Sequence, residues 1–250
     1  MNLIITDDYE SMSRAAAGMI AAIVAAKPNA AIVLATGDTP MGLYQELAAR
    51  RQKGLFDASH LRVFQLDSYL GIKPDDPRSL YGWMDRAFLQ PLSVPASHIV
   101  RLAGDAVDPE AECRNYDAKV LEAGGFDLSV LGLGPNGHLG FNEPPADPES
   151  PTRIVSLTEE SIESNAGYWG SRDRVPLKAM TAGMSCLLAA RQTILVVSGA
   201  RKRDILHRCL YEAISPDAPA SYLQRAPNVT VFADRAAMPE DPAALGLGKE

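Results

Sequence analysis

Short apolar runs rich in β-branched residues alternate with longer helical patterns along most of this chain, and no other feature of the sequence constrains its fold as strongly. We predict strands at Leu3–Thr6, Ala31–Ala35, Leu61–Leu66, Ile99–Leu102, Leu128–Leu133, Ile154–Leu157, Thr193–Ser198 and Val229–Phe232. We predict helices at Met12–Ala26, Pro40–Arg51, Pro109–Ala123, Pro176–Ala190 and Ala200–Tyr211. Because strand–helix–strand units have right-handed crossovers, this order predicts an α/β, Rossmann-like, doubly wound fold with a mostly parallel sheet and helices on both faces.

A chain of 250 residues can form one large domain or two small ones. The sequence has no internal repeat, low-complexity linker or Ser/Gly spacer, and the proline-rich patch Pro144–Pro151 is short and flanked by strand-like sequence. Such a patch is typical of an irregular active-site loop. We therefore predict a single domain over residues 1–250.

The formal net charge of −7 argues against nucleic acid as a partner, because phosphate backbones are bound by clustered Lys and Arg. It does not exclude a small anion, which a few cations or backbone N–H groups can hold. The three cysteines form no CxxC pair, so we predict neither a disulfide framework nor a metal site, and no cofactor. No apolar run is long enough to span a bilayer, so we expect a cytoplasmic protein without a membrane partner. The oligomeric state is left open, and an oligomer is possible.

Ligands of doubly wound sheets bind beyond the carboxyl ends of the strands. Four segments at such ends carry polar or reactive residues, and they are Thr36–Pro40, Asp67–Gly71, Gly134–Pro144 and Gly199–Lys202. In the first, Gly37 allows a tight turn before a predicted helix whose N–H groups and dipole favour a phosphate. The same residues also fit an ordinary turn with Thr39 as the helix N-cap and Pro40 at the first helical position.

The other segments carry acid–base and cationic side chains. Asp67 follows a buried strand, where desolvation can raise its pKa towards that of a useful base, although by itself it fits an N-cap or turn residue better. His138 is followed five residues later by Glu143 in a glycine-rich loop, which favours a proton-transfer pair over a purely structural histidine. Arg201 and Lys202 open a helix, where cations oppose the dipole, so they either bind an anion or form a solvated basic surface.

Five segments resemble the glucosamine-6-phosphate deaminase family in the same order and at similar spacing, and they are ATGDTPMGLYQEL, FQLDSYLG, GLGPNGHLGFNEP, MTAGMSCLL and GARK. The resemblance extends from the first helix to Val231, and its most specific part is NGHLGFNEP. Gluconolactonase relatives on the same fold usually carry a DGHTASLFP-like loop without FNEP. The resemblance implies an isomerase/deaminase of amino-sugar catabolism.

The resemblance also implies a role for each matching residue. Asp67 moves a proton between C2 and C1 of the sugar through an enediol-type intermediate. His138 assists opening of the pyranose ring and is oriented by Glu143 and Asn136. The residues that hold the phosphate are Thr36, Gly37, Asp38, Thr39 and Lys202. No metal is implied.

Three positions depart from the pattern of the family. Asn136 stands where some members carry Asp, and an amide can orient a histidine but cannot balance its positive charge. Ser68 replaces a common Glu, which lowers the negative charge near the catalytic Asp. Gly167 stands where well-known members place a phosphate-binding Arg, and the candidates to replace that side chain are Arg172 and Arg174.

Glucosamine 6-phosphate is the expected substrate, with fructose 6-phosphate and ammonia as products. Galactosamine 6-phosphate is an alternative substrate, and a 6-phosphogluconolactonase-like hydrolase is an alternative enzyme that the FNEP motif disfavours. A non-enzymatic sugar-phosphate sensor is the least favoured hypothesis. Such regulators need a DNA-binding module, whereas this sequence begins with a predicted strand, is acidic and has no basic recognition helix. The sequence reveals no preference at C4 and no allosteric activator.

Overall fold

A seven-stranded parallel sheet forms the centre of the fold in the computed structural model, which describes residues 1–239. The strands are β1 (Asn2–Thr6), β2 (Ala31–Leu34), β3 (Arg62–Gln65), β4 (Asp67–Tyr69), β5 (Ile99–Val100), β6 (Leu128–Gly132), β7 (Arg153–Ser156), β8 (Lys178–Thr181), β9 (Thr193–Val197) and β10 (Val229–Asp234). The α-helices are α1 (Tyr9–Ala26), α2 (Asp38–Gln52), α3 (Leu80–Met84), α4 (Gln90–Leu92), α5 (Pro109–Glu122), α6 (Glu159–Trp169), α7 (Met184–Leu188) and α8 (Arg203–Tyr211). Residues 240–250 of the predicted domain lie outside the described residues.

The order of the strands confirms the predicted doubly wound class. The sheet runs β1-β10-β9-β6-β2-β3-β5, and every neighbouring pair is parallel. The chain moves outwards from β2 through β3 to β5, and it then returns to β6 on the other side of β2. Because the winding direction reverses between β2 and β6, the loops after these two strands diverge and open a crevice at the carboxyl end of the sheet.

Helices cover both faces of this sheet, as predicted. Along β2, Val33 packs into one core with residues of α5, α7 and α8, whereas Ile32 and Leu34 pack into the opposite core with residues of α1 and α2. This alternation follows from the two-residue period of a strand, which sends successive side chains to opposite faces. Among the described residues, no helix has both the length and the apolar character needed to cross a membrane.

A second sheet, of three antiparallel strands in the order β4-β8-β7, was not predicted. The predicted strand Ile154–Leu157 lies here as β7 rather than in the central sheet. The predicted helix Pro176–Ala190 is wrong, because β8 and the short helix α7 occupy it. Alanine, methionine and leucine favour helix in isolation, but pairing with β4 and β7 buries Ala179 and Met180 completely and overrides that preference.

Candidate active site

The crevice between β2 and β6 collects the four predicted segments, because the carboxyl ends of parallel strands meet at one edge of a sheet. The loop after β2 begins α2, the loop after β6 carries His138 and Glu143, and β3 leads into Asp67. The loop after β9 carries Lys202. The predicted site residues therefore surround one end of the sheet.

The first of these segments is a helix start suited to an anion. Gly37 lies at the N-cap position of α2 with φ 98°, in the left-handed region that favours glycine, and α2 begins at Asp38. The alternative with Thr39 as the N-cap is therefore wrong. Gly37 has no side chain to cap this end, and among the described residues the N–H groups of Asp38 and Thr39 have no side-chain partner, so they are available to a ligand.

Lys202 reaches the same crevice from the other side. Its Nζ donates a hydrogen bond of 2.7 Å to the carbonyl oxygen of Leu133, the residue that follows β6. Burial lowers the pKa of this ammonium group. The loop that carries Lys202 is held by Asp234, whose carboxylate accepts from the backbone N–H of Gly199 at 3.0 Å.

Asp67 is the first residue of β4, so it is neither a helix cap nor a turn residue. Its side chain is buried, and burial raises its pKa to about 7. One carboxylate oxygen, Oδ1, has no hydrogen-bond partner among the described residues. The backbone carbonyl of Asp67 accepts from Nε2 of Gln65 at 2.8 Å, which fixes the strand end. A buried carboxylate with one unpartnered oxygen is suited to accept a proton from a bound ligand.

Thr181 connects Asp67 to the loop after β6. It is paired with Asp67 across the β4–β8 ladder, and its hydroxyl accepts a 3.0 Å hydrogen bond from the backbone N–H of Phe141. A Cβ at Gly140 would lie 2.9 Å from the Thr181 hydroxyl, so glycine permits this close approach. The proposed base and the histidine loop are thus packed against the same residue.

His138 and Glu143 form the predicted pair. Their Nδ1 and Oε2 atoms lie 3.1 Å apart, and their side chains are 13% and 6% exposed. The imidazole ring lies over Gly134, where a Cβ would be 2.2 Å from Cδ2 of the ring. Because Glu143 contacts Nδ1, the imidazole is held in one orientation with Nε2 free of that carboxylate.

Glu143 is held as a carboxylate by its surroundings. Burial alone raises its pKa, but the hydrogen bond and charge of His138, with hydrogen bonds from Ser161 and Asn136, outweigh burial and lower the pKa to about 2. Asn136 donates through Nδ2 to Glu143 Oε2 at 3.0 Å and to Glu160 Oε2 at 3.1 Å. The sequence-predicted residues Asn136, His138 and Glu143 therefore form one connected group.

Helix α6 adds residues that sequence reasoning missed. Thr158 caps α6 by accepting from Ser161 N–H at 3.3 Å, and its hydroxyl donates to Glu143 Oε2 at 3.2 Å. Ser161 is fully buried, with its hydroxyl 3.4 Å from His138 Nδ1. The pattern Thr-Glu-Glu-Ser is a typical N-cap signal that could have located this helix start, although not its contact with the histidine loop.

The far end of α6 contacts the start of α2 through a tyrosine. Tyr168, adjacent to Gly167, donates a 2.7 Å hydrogen bond to the Asp38 carboxylate. Arg172 forms ion pairs with Glu159 and Glu163, so it is engaged away from the start of α2. Within residues 1–239, no group of three or more His, Cys, Asp or Glu side chains is placed to share a metal ion.

Comparisons with known proteins identify the family of this chain. Residues 7–232 match the family described as glucosamine-6-phosphate isomerases/6-phosphogluconolactonase. A glucosamine-6-phosphate deaminase of Halothermothrix orenii is 40% identical over 95% of this chain and 98% of its own. One from Clostridium botulinum is 39% identical, over 95% and 97%.

Solved structures give the same result at the level of the fold. A monomeric glucosamine-6-phosphate deaminase superposes with a TM-score of 0.93 at 38% identity, over 95% of this chain and 98% of that one. A 6-phosphogluconolactonase from Trypanosoma brucei gives 0.75 at 20% identity, over 94% and 97%, which shows a shared fold alone. The chain belongs to the glucosamine-6-phosphate isomerase/6-phosphogluconolactonase family.

Proposed function

We propose that this protein converts glucosamine 6-phosphate and water to fructose 6-phosphate and ammonia. One observation carries the proposal: Asp67, buried and with its Oδ1 unpartnered among the described residues, is linked through Thr181 to the loop that holds the His138–Glu143 pair. A base for carbon acids and an imidazole for ring opening are the two groups that this reaction needs. The relatives that are about 40% identical carry the same activity in their names.

The reaction begins with the closed sugar ring. His138 takes the proton of the anomeric hydroxyl and returns a proton to the ring oxygen, which opens the pyranose to the aldehyde. Glu143 fixes the imidazole and stabilises its protonated form, and Asn136 fixes Glu143.

The open chain is then isomerised. Asp67 removes the proton from C2, the electron pair of that C–H bond forms the C1–C2 double bond, and the π electrons of the C1 carbonyl move to its oxygen, which takes up a proton. The resulting enediol-type intermediate keeps its amino group. Return of a proton to C1 and loss of a proton from the nitrogen convert the C1–C2 double bond to an imine at C2. Water adds to C2, the C–N bond breaks, and ammonia leaves as the ketose forms. Burial raises the pKa of Asp67 to about 7, which suits a base that must both accept and return a proton near neutrality.

The phosphate would lie at the start of α2, with Thr36, Gly37, Asp38 and Thr39 around it and Lys202 opposite. Backbone N–H groups and one ammonium supply donors there. Arg172 is paired with Glu159 and Glu163, which favours Arg174 as the side chain that takes the place of the arginine absent at Gly167. We expect a small-molecule sugar phosphate in the cytoplasm as the partner, and no nucleic acid.

The test is a comparison of three substrates with the purified full chain. Ammonia release is measured with glucosamine 6-phosphate and with galactosamine 6-phosphate, and acid release with 6-phosphogluconolactone. We expect rapid ammonia release from the gluco sugar and no lactone hydrolysis above the spontaneous rate. Faster release from the galacto epimer would replace the substrate, and lactone hydrolysis without ammonia release would overturn the proposal.

A further inference from the structure

The amide of Asn136 lies between two carboxylates. Its Nδ2 is 3.0 Å from Glu143 Oε2 and 3.1 Å from Glu160 Oε2. A side-chain amide nitrogen carries two hydrogens, so it can donate to both acids at once. Glu143 belongs to the loop after β6, whereas Glu160 lies in the first turn of α6. One amide therefore joins the histidine loop to the helix that covers it.

A carboxylate at position 136 would be opposed by both neighbours. Ionised Asp has no hydrogen to donate, and it would bring a third negative charge to within hydrogen-bonding distance of two others. Glu160 is exposed, but Glu143 is buried, and its low pKa depends in part on donation from Asn136. The third charge would therefore destabilise the carboxylate of Glu143, which holds His138.

We propose that Glu160 is a positioning residue that acts through Asn136, and that an amide is required at position 136 because Glu160 is present. Glu160 anchors the second N–H of the amide, which fixes the first against Glu143 and thereby fixes His138. This inference rests on the proposed function for its activity test, but it also predicts a stability effect that is independent of activity.

The charge argument is tested with Asn136→Asp alone and combined with Glu160→Gln. Asn136→Asp should lower kcat on glucosamine 6-phosphate at least tenfold at pH 8.5 with little change in KM. The defect should shrink towards pH 6, where a protonated Asp can again donate. Adding Glu160→Gln should bring kcat back to within about threefold of the native enzyme, since it removes one of the opposed charges.

A matched control separates this effect from a general change of charge. Glu163 lies on the same helix and contacts Arg172, so Glu163→Gln should not rescue Asn136→Asp. The melting temperature, measured without substrate, should follow the same pattern. Asn136→Asp should lower it more at pH 8.5 than at pH 6. Adding Glu160→Gln should restore it, and adding Glu163→Gln should not.

The outcomes distinguish the two proposals. If the native chain releases no ammonia, the proposed function fails, and the melting temperatures still decide the inference. If the native chain is active but Asn136→Asp matches it at pH 8.5, the requirement for an amide is wrong. Equal rescue by Glu163→Gln, or no rescue by Glu160→Gln in either measurement, would equally overturn the inference.

Discussion

At the scale of single residues, burial of Asp67 in the candidate site lowers the free energy of unfolding. Burial raises its pKa in the folded protein to about 7, from the ordinary aspartate value of 3.8. Because the folded pKa is raised, the native state favours the protonated acid. The group therefore costs nothing below about pH 4, its cost grows between about pH 4 and pH 7, and it stays constant above that range.

Asp67→Asn should accordingly stabilise the protein at neutral pH. Three pKa units correspond to roughly 4 kcal/mol, so we expect a gain of about 2–4 kcal/mol in the free energy of unfolding at pH 8. The gain should vanish near pH 4. Urea unfolding at both pH values measures this gain. Asp75 is exposed, so Asp75→Asn is the control, and it should leave the free energy of unfolding unchanged at both pH values. A variant less stable than the native protein at pH 8 would contradict the assigned burial cost.

The second prediction at this scale concerns Lys202 and the KM for the sugar phosphate. Lys202→Ala should raise KM for the 6-phosphorylated sugar about 10- to 150-fold, the value of one charged hydrogen bond, with a smaller effect on kcat. Because burial lowers the pKa of Lys202, its charge is lost at a lower pH than that of a free lysine. KM should therefore rise with pH on the alkaline side, and Lys202→Arg should delay that rise. Unchanged KM in Lys202→Ala would remove this residue from the phosphate site.

At the scale of elements, the loop after β6 depends on glycine where the imidazole crosses it. A Cβ at Gly134 would lie 2.2–2.5 Å from atoms of the His138 ring, so Gly134→Ala must displace the ring. We expect kcat to fall on the order of 10- to 100-fold, because misplacement of a proton-transfer group by about 1 Å has effects of that size.

The neighbouring glycine supplies the control for this prediction. A Cβ at Gly132 would meet nothing within 4 Å, so Gly132→Ala should keep its kcat. Melting temperatures of both variants show whether the loop still folds. Equal activity of the two variants would mean that the position of His138 does not limit turnover.

The elements also show what the sequence could and could not predict. The alternation of strands and helices identified the central sheet, because its strands are short apolar runs between longer helical patterns, and β2, β9 and β10 are buried along their whole length. Strand β4 has only three residues, and β8 is rich in helix-favouring side chains, so the second sheet depends on long-range pairing that periodicity does not detect.

The sequence likewise predicted some residues of the candidate site and missed others. Asp67, His138 and Glu143 were predicted because their residue types follow strand ends. The contacts of Thr158, Ser161 and Glu160 were missed. They depend on how α6 lies across the loop after β6, and that placement is a property of tertiary packing. Local sequence marks where a helix begins but not which loop its first turn touches.

At the scale of the whole molecule, the fold sets the location of the site but not its reaction. The reversal of winding between β2 and β6 brings the loop after β2 and the loop after β6, which carries His138, to one crevice. A 6-phosphogluconolactonase shares this fold with a TM-score of 0.75. Because a shared fold does not determine a reaction, the proposed reaction depends on the side chains around the crevice, above all the buried Asp67 and the His138–Glu143 pair.

The most direct test of the central claim is the product balance of the native protein and of Asp67→Asn with glucosamine 6-phosphate. Ammonia and fructose 6-phosphate are quantified in the same reaction, and circular dichroism confirms that the variant is folded. We predict equal amounts of the two products from the native protein and a loss of kcat on the order of 10²- to 10⁴-fold in the variant, the usual contribution of a positioned base. A folded Asp67→Asn variant that releases both products at the native rate would contradict the account.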